Sequence, residues 1–282
     1  MTKKVISFSL WGRDKFYSVG AIRNAELAPK IYPGWETYFY VNDVDDEVKE
    51  KLQSLGSVVI ETNQKSIGTL GMFWRFFAID DPDVSVMISR DTDSRISVRE
   101  KIAVDEWLDT KKTLHVMRDH PYHNLPIMGG MWGIQKKEGL SLRDEAGNWL
   151  RDSNSLKKGV PKSTDQSFLQ TLYHRFLSEK DYFCHDQFPF LNKGTGTNVR
   201  ESENFREIST GFPSERSSKY DFVGIVYDEN EIPCEDSSTH LESFERAFAI
   251  TCSLPQYEIE KEISSMFGYG RYNSLLPKRL QR

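Results

Sequence analysis

The sequence is short of several features that would narrow its class at once. It has three cysteines, Cys184, Cys234 and Cys252, widely spaced and forming no CxxC pair, which predicts a reducing compartment and no disulfide framework. Its net charge is −5, which argues against a nucleic-acid partner, because phosphate binding needs a concentrated positive surface. No apolar run is long enough for a signal peptide or a membrane span, so a soluble, cytoplasmic protein is expected.

Strand-like and helix-like patterns alternate through the first half of the chain. Apolar segments rich in β-branched and aromatic residues predict strands at 4–12, 35–43, 57–62 and 84–89. Helical spacing of apolar residues predicts helices at 14–30, 44–56 and 71–81, the first ending near Pro29. This alternation predicts an α/β fold with a mostly parallel sheet. Such sheets bind ligands at the carboxyl ends of their strands.

The second half is less regular. It is predicted to contain helices at 99–108 and 164–177 and strands at 113–119, 127–135, 181–186 and 221–231. The helix at 164–177 is expected to begin with Ser163 or Thr164 as its N-cap. The polar segments 136–162 and 187–218 are predicted loops, and the later one is long enough to cover a site.

The stretch VMISRDTDSRIS, residues 86–97, places two aspartates at the end of the fourth predicted strand. The side chains of Asp91 and Asp93 can converge on one point there. Two carboxylates so close repel each other unless a cation lies between them, and oxygen ligands suit Mn²⁺ or Mg²⁺. The pair therefore predicts a metal–diphosphate site, with nearby arginines holding phosphate or sugar oxygens. The alternative is a solvated loop of salt-bridged side chains.

Together these segments resemble the GT-A glycosyltransferases, in particular the family 8-like bacterial and viral sugar transferases. The resemblance is carried by VISFSLWG, FWRFFAID, SRDTDSR, HVMRDHPYH, GGMWG, DQSFLQ, CHD and DFVGIVYDENE. It implies a GT-A type α/β fold, with a mixed, mostly parallel nucleotide-binding sheet flanked by helices. It also implies one domain over 1–282: residues 1–110 bind the nucleotide sugar, 111–267 bind sugar and acceptor, and 268–282 form a basic tail.

The resemblance assigns roles to individual residues. Asp91 and Asp93 match the DxD motif that binds a divalent metal, and His185 would complete the metal shell. Asp165 and Gln166 match a DQ pair that faces the donor sugar, so Asp165 is the predicted catalytic residue. The pKa of Asp165 is expected to be lowered, because the residue lies in the first turn of a helix. The chain departs from the family in lacking the KPW-like segment that commonly lies close to the late histidine.

Several residues are predicted to contact the substrate in addition to Gln166. They are Trp11, Arg75, Arg90, Gly129, Gly130 and Trp132. Trp11 would flank the base or cover the core, and Trp132 would be a stacking wall or a core tryptophan. The glycine pair would let the backbone approach a sugar closely or would form a β-bulge. Arg75, surrounded by aromatic residues, needs an anion, which would be Asp80, Asp91 or the donor diphosphate.

These features predict a metal-dependent hexosyl- or pentosyltransferase of polysaccharide biosynthesis, which moves a sugar from a nucleotide-sugar donor to a glycan or lipid-linked acceptor. With inversion, Asp165 would be the general base; with retention, which the resemblance slightly favours, it would position the sugar or stabilise positive charge. A sugar nucleotidyltransferase and a catalytically inactive nucleotide-sugar-binding module are the alternatives, and the single glycine of LWGRDKF counts against the first. The basic tail, with Tyr269, Arg271, Lys278 and Arg279, is a frayed terminus or docks on a membrane surface.

Overall fold

Seven strands form one mixed sheet in the structure, which is a computed structural model. It describes residues 2–62, 69–120, 123, 125–153, 160, 163–187, 209–218 and 220–234. The strands are β1 (Lys3–Trp11), β2 (Glu36–Asn42), β3 (Val58–Glu61), β4 (Val84–Arg90), β5 (Leu114–Arg118), β6 (Met131–Gln135) and β7 (Tyr182–Asp186). Their order across the sheet is β3-β2-β1-β4-β6-β5-β7.

Helices pack against both faces of this sheet. They are α1 (Lys15–Ile31), α2 (Asp46–Ser54), a 3₁₀ helix η1 (Leu70–Asp80), α3 (Val98–Thr110), α4 (Leu142–Asp152) and α5 (Thr164–Ser178). Because side chains alternate along a strand, Val5 of β1 enters the core shared with η1, α4 and α5, while Ile6 enters the core shared with α1, α2 and α3. None of the helices in the described ranges is long and apolar enough to cross a membrane.

The direction of β6 positions the site described below. β6 is antiparallel to both β4 and β5, whereas β1 is parallel to β2 and β4, and β7 is parallel to β5. In the register of β4 and β6, Arg90 is opposite Met131. The residues that follow β4 and those that precede β6 therefore meet at the carboxyl end of β4.

The predicted α/β fold with a mixed, mostly parallel sheet is confirmed by this topology. The helix predicted over 14–30 is α1, Lys15–Ile31, which includes Pro29. Two local predictions were wrong. Helix α4 lies inside the predicted loop 136–162, where Ser141 and Asp80 accept hydrogen bonds from its first amides. Residues 221–231 form isolated bridges, Ser94 with Val226 and Tyr227 with Pro233, instead of a strand.

Chain contacts divide the protein into a unit of Met1–Pro233 and a second unit of Cys234–Arg282. The elements above all belong to the first unit. The predicted basic tail, with Tyr269, Arg271, Lys278 and Arg279, lies outside the described residues. So does Cys252, while Cys184 and Cys234 are free thiols.

Candidate active site at the carboxyl end of β4

A glycine pair and an aspartate meet where β4 ends and β6 begins. Asp91 directly follows β4, and Gly129 and Gly130 directly precede β6. A Cβ atom on Gly130 would lie 1.9 Å from Asp91 Oδ2, a distance that no side chain tolerates. The hydroxyl of buried Ser89 donates a 2.7 Å hydrogen bond to the Gly129 carbonyl and so fixes the pair against β4. A side chain at Gly130 would therefore displace the Asp91 carboxylate from this position.

Arg75 of η1 joins two carboxylates from distant parts of the chain. Its guanidinium group makes an ion pair with Asp91 Oδ1, and its Nη2 lies 3.5 Å from Asp165 Oδ2. Its backbone N–H donates a 3.0 Å hydrogen bond to Ser9 Oγ, which holds η1 on β1. A Cβ atom on Gly129 would lie 2.5 Å from Nη2 of Arg75 and 2.6 Å from Asp165 Oδ2. The anions that neutralise Arg75 are thus Asp91 and Asp165, and Asp80 instead caps α4.

Asp165 is almost completely buried, with a relative exposure of 2%. Helix α5 begins at Thr164, and Ser163 is its N-cap. Among the described residues, Oδ1 of Asp165 has no hydrogen-bond partner. Burial raises the pKa of Asp165, against the opposing effect of the Arg75 guanidinium, and the charge of Asp91 raises it further. The expectation of a lowered pKa was wrong, because the cost of desolvation exceeds the stabilisation that a helix N-terminus provides.

Asp93 is the second carboxyl group of the cluster whose pKa is raised. Burial and the neighbouring charge of Asp91 raise its pKa from 3.8 to about 7. The segment after Tyr220 holds the backbone of this half-buried residue and its neighbour: the Tyr227 N–H donates a 2.9 Å hydrogen bond to the Asp93 carbonyl, and Ser94 bridges Val226. The side chain of Asp91, by contrast, is 46% exposed, so the cluster opens to solvent on the Asp91 side.

Helix α1 supports the turn that carries the aspartates, and none of these contacts was predicted from the sequence. A Cβ atom on Gly20 would lie 1.9 Å from the Thr92 carbonyl oxygen. One turn later, Asn24 donates to the Ser94 carbonyl at 2.8 Å and accepts from the Ile96 N–H at 3.0 Å. A glycine inside a helix costs about 1 kcal/mol relative to alanine, so Gly20 was itself a signal of a close backbone approach.

The carboxylate oxygens of Asp91 and Asp93 could supply part of the ligand set of a hard divalent cation. Two close carboxylates, one of which ionises only reluctantly, are relieved by a cation between them. Within the described ranges, no group of three or more His, Cys, Asp or Glu side chains is arranged to hold a metal ion. The chain thus offers two carboxylates, and Mg²⁺ and Mn²⁺ commonly take their other ligands from water and phosphate oxygens.

His185 does not join the aspartates, which corrects its prediction as the third metal ligand. It lies on β7, separated from β4 by β6 and β5, or about 14 Å at the usual strand spacing of about 4.8 Å. Its ring is fully buried, with Nδ1 2.8 Å from His115 Nε2 and Nε2 3.2 Å from Glu106 Oε2. Both ring nitrogens therefore have partners within the fold.

Two predicted substrate contacts point into the protein core. Arg90 is 1% exposed, and its Nε lies 2.7 Å from Glu100 Oε1, so its charge is neutralised within the fold. Trp132 is fully buried against Phe76, and its indole N–H donates to the Gly129 carbonyl at 3.1 Å. Arg90 therefore does not stand as a substrate contact, because Glu100 already neutralises it. For Trp132 the structure agrees with the second alternative, a core tryptophan.

Two other predicted contacts lie nearer the protein surface. The half-buried indole of Trp11 packs edge-on against Trp74 and against Gly71, where a Cβ atom would lie 2.8 Å from the ring. Trp11 therefore covers the core at the end of β1, and its role beside the base stays a prediction. Gln166 is half-buried next to Asp165, and its contact with the donor sugar also stays a prediction.

Comparisons with known proteins give partial structural similarities at low sequence identity. No protein-family model and no curated protein matches the chain. The apo-form glycosyltransferase GlyE of Streptococcus pneumoniae TIGR4 has 17% identity and a TM-score of 0.42, over 66% of this chain and 46% of GlyE. The galactosyltransferase LgtC, in complex with donor and acceptor sugar analogs, has 14% identity and a TM-score of 0.43, over 77% of this chain and 89% of LgtC.

A third similar structure is the mannosyltransferase PcManGT from Pyrobaculum calidifontis, in complex with GDP-Man and Mn²⁺. It has 9% identity and a TM-score of 0.35, over 48% of this chain and 45% of PcManGT. The matched parts of this chain thus span less than half of GlyE and of PcManGT. Similarity at this level carries no conclusion about activity, which has to be argued from the residues of the chain itself.

Proposed function

We propose that the chain is a glycosyltransferase of the GT-A type, which transfers a hexosyl or pentosyl group from a nucleotide-sugar donor to a glycan or lipid-linked acceptor. The observation that carries the proposal is the cluster of Asp91, Asp93, Asp165 and Arg75 at the carboxyl end of β4. Open α/β sheets bind ligands at such strand ends. Clustered ionisable groups with perturbed pKa values are typical of reaction centres.

Each residue of the cluster would have its own role in binding the nucleotide-sugar donor. Asp91 and Asp93 would hold Mn²⁺ or Mg²⁺, which when bound supplies positive charge that stabilises a departing diphosphate. Arg75 would bind phosphate or sugar oxygens, because a guanidinium group offers several N–H donors in a fixed plane. Gly129 and Gly130 would let the backbone approach the carboxylates of Asp91 and Asp165, since a Cβ at either position would collide with them. We also propose that the backbone of this pair faces the sugar ring.

The burial of Asp165 favours one of its two proposed roles. A general base must reach the proton of the acceptor hydroxyl, and Asp165 lies behind Arg75 and Gly129 with 2% exposure. A buried carboxylate can still stabilise positive charge that develops on the sugar carbon, because electrostatic interactions are strong where water is excluded. We therefore favour charge stabilisation, a role that fits retention of configuration better than inversion.

A screen of nucleotide sugars tests the proposal. Purified protein is melted with each nucleotide sugar, with and without Mn²⁺, and a positive donor is then incubated to detect products. Asp91→Asn serves as the test variant, and Asp109→Asn, an exposed carboxylate on α3, is the matched control. We expect Mn²⁺-dependent stabilisation and slow release of nucleoside diphosphate from one donor, lost in Asp91→Asn and kept in Asp109→Asn.

The products separate the three candidate functions. A glycosyltransferase releases nucleoside diphosphate from a nucleotide sugar. A sugar nucleotidyltransferase instead releases pyrophosphate from a nucleoside triphosphate and a sugar 1-phosphate. An inactive module binds the donor and releases nothing. Release of pyrophosphate, or binding without turnover in the presence of acceptor extracts, would contradict the proposal.

A further inference from the structure

The guanidinium group of Arg75 contacts the same carboxylate, that of Asp91, to which a metal ion would bind. This group pairs with Asp91 Oδ1, which is one of the oxygens available to a metal ion. The two neighbouring arginines are engaged elsewhere, Arg90 with Glu100 and Arg95 with Glu231. Arg75 is therefore the cation that offsets the charge of Asp91 in this structure, and a metal ion at Asp91 would bring two positive groups together.

Asp165 can receive the guanidinium group when it leaves Asp91. Oδ2 of Asp165 already lies 3.5 Å from Arg75 Nη2, and Oδ1 is buried with no hydrogen-bond partner in the part of the chain that the structure describes. A carboxylate binds a guanidinium group best through both oxygens, so a small shift of Arg75 would complete the bonding of Asp165. The hydrogen bond from the Arg75 N–H to Ser9 Oγ fixes the backbone, and the shift of the side chain would break the 3.3 Å hydrogen bond that Nη1 donates to the Arg90 carbonyl.

We propose that Arg75 is an internal counter-cation that a divalent metal displaces from Asp91 toward Asp165. This inference rests on the proposed metal site at Asp91 and Asp93. It makes Arg75 a competitor of the metal in the donor-free protein, and it makes Asp165 a group that acts on metal affinity through Arg75. Gly129 has no side chain to obstruct the contact between Arg75 and Asp165, since a Cβ there would lie 2.5 Å from Arg75 Nη2 and 2.6 Å from Asp165 Oδ2.

The sign of a metal-affinity change tests the competition. Mn²⁺ is titrated into donor-free protein, and free Mn²⁺ is followed by electron paramagnetic resonance for the parent and for Arg75→Met, which keeps an unbranched side chain and removes the charge. We expect Arg75→Met to bind Mn²⁺ roughly ten- to a hundredfold more tightly, because the metal no longer breaks an ion pair. Equal or weaker binding would overturn the inference while leaving the metal site intact.

A double-mutant cycle tests the part played by Asp165. Asp165→Asn should weaken Mn²⁺ binding in the parent, because Arg75 loses its alternative partner, and should have a much smaller effect in the Arg75→Met background. Equal effects in both backgrounds would mean that Asp165 acts only through its own charge, which would refute the coupling. If Arg75→Met does not fold, tighter Mn²⁺ binding by Arg75→Gln is the required result.

The same titrations separate failure of this inference from failure of the proposed function. Asp93→Asn is included as the variant that removes a proposed ligand. If neither the parent nor Arg75→Met binds Mn²⁺, both the proposed metal site and the displacement of Arg75 are refuted. If the parent binds Mn²⁺ and Asp93→Asn does not, the site stands, and the affinity of Arg75→Met alone decides the inference.

Discussion

Replacing Asp93 by asparagine should stabilise the metal-free protein at alkaline pH. Burial and the charge of Asp91 raise the pKa of Asp93 from 3.8 to about 7 in the folded state. The folded protein therefore holds this proton more tightly than the unfolded chain does. The free energy of unfolding must then fall as the pH rises from about 4 to about 7, and the loss is complete above that range. Asparagine has the same shape and carries no charge at any of these pH values.

The size of the effect follows from the pKa. A rise from 3.8 to about 7 corresponds to about 4 kcal/mol at most, and the partial exposure of Asp93 reduces this to about 2–4 kcal/mol. The unfolding free energies of the parent and Asp93→Asn should nearly agree at about pH 4. At about pH 8 the variant should be more stable by this amount.

Urea unfolding in the presence of a chelator measures both values. Asp109→Asn, on the exposed face of α3, controls for the removal of one surface carboxylate and should show no such difference. Adding Mn²⁺ at pH 8 at about a hundred times its dissociation constant should stabilise the parent by about 2.7 kcal/mol and leave Asp93→Asn unchanged. If the parent and Asp93→Asn keep the same stability difference at both pH values, Asp93 does not carry the repulsion inferred here.

Four other substitutions test the remaining geometry. Gly130→Ala should weaken Mn²⁺ binding at least about tenfold by calorimetry, because its Cβ would lie 1.9 Å from a carboxylate oxygen; unchanged affinity would show that the carboxylate can move away. Gly20→Ala should lower the unfolding free energy by about 1–3 kcal/mol in urea. Its control Gly147→Ala should raise it by about 0.5–1 kcal/mol, because a Cβ at this helical glycine would make only an ordinary 3.7 Å contact with Arg151 Nη1. His185→Ala should lower the melting temperature and leave Mn²⁺ affinity unaltered. Weaker Mn²⁺ binding by this variant would show that His185 is a metal ligand after all. Asp165→Asn, assayed at saturating Mn²⁺, should reduce turnover by roughly two to four orders of magnitude with little change in donor affinity, and full turnover would remove its catalytic role.

The fold was predictable because its signals are local. The apolar segments that became β1, β2 and β4 are bounded by glycine, proline or charged residues, and the intervening helices show apolar spacing. Helix α4 was missed because it is polar, and its first turn depends on Asp80, which is distant in sequence. The segment after Tyr220 was apolar enough to suggest a strand, yet the structure gives it only isolated bridges to Ser94 and within itself.

The candidate site was predictable only in part. Asp91, Asp93 and Asp165 were found from motifs, and Arg75 from the cost of burying a charge among aromatic residues. The sequence did not determine the anion that neutralises Arg75, because the choice depends on which carboxylate lies nearby in the folded chain. The prediction for His185 failed because the sequence of β7 does not reveal the strand order. In the sheet, β6 and β5 lie between β4 and β7 and separate His185 from the aspartates.

The antiparallel direction of β6 is what makes the cluster possible. Had β6 run parallel to β4, its carboxyl end, not Gly129 and Gly130, would lie beside Asp91. Because the strand runs the other way, the glycine pair is pressed between Asp91 on one side and Arg75 on the other. Ser89 then holds the Gly129 carbonyl from within β4. The contacts that pair these strands also set the spacing of the carboxylates, so a change at the glycine pair should alter sheet stability and metal affinity together.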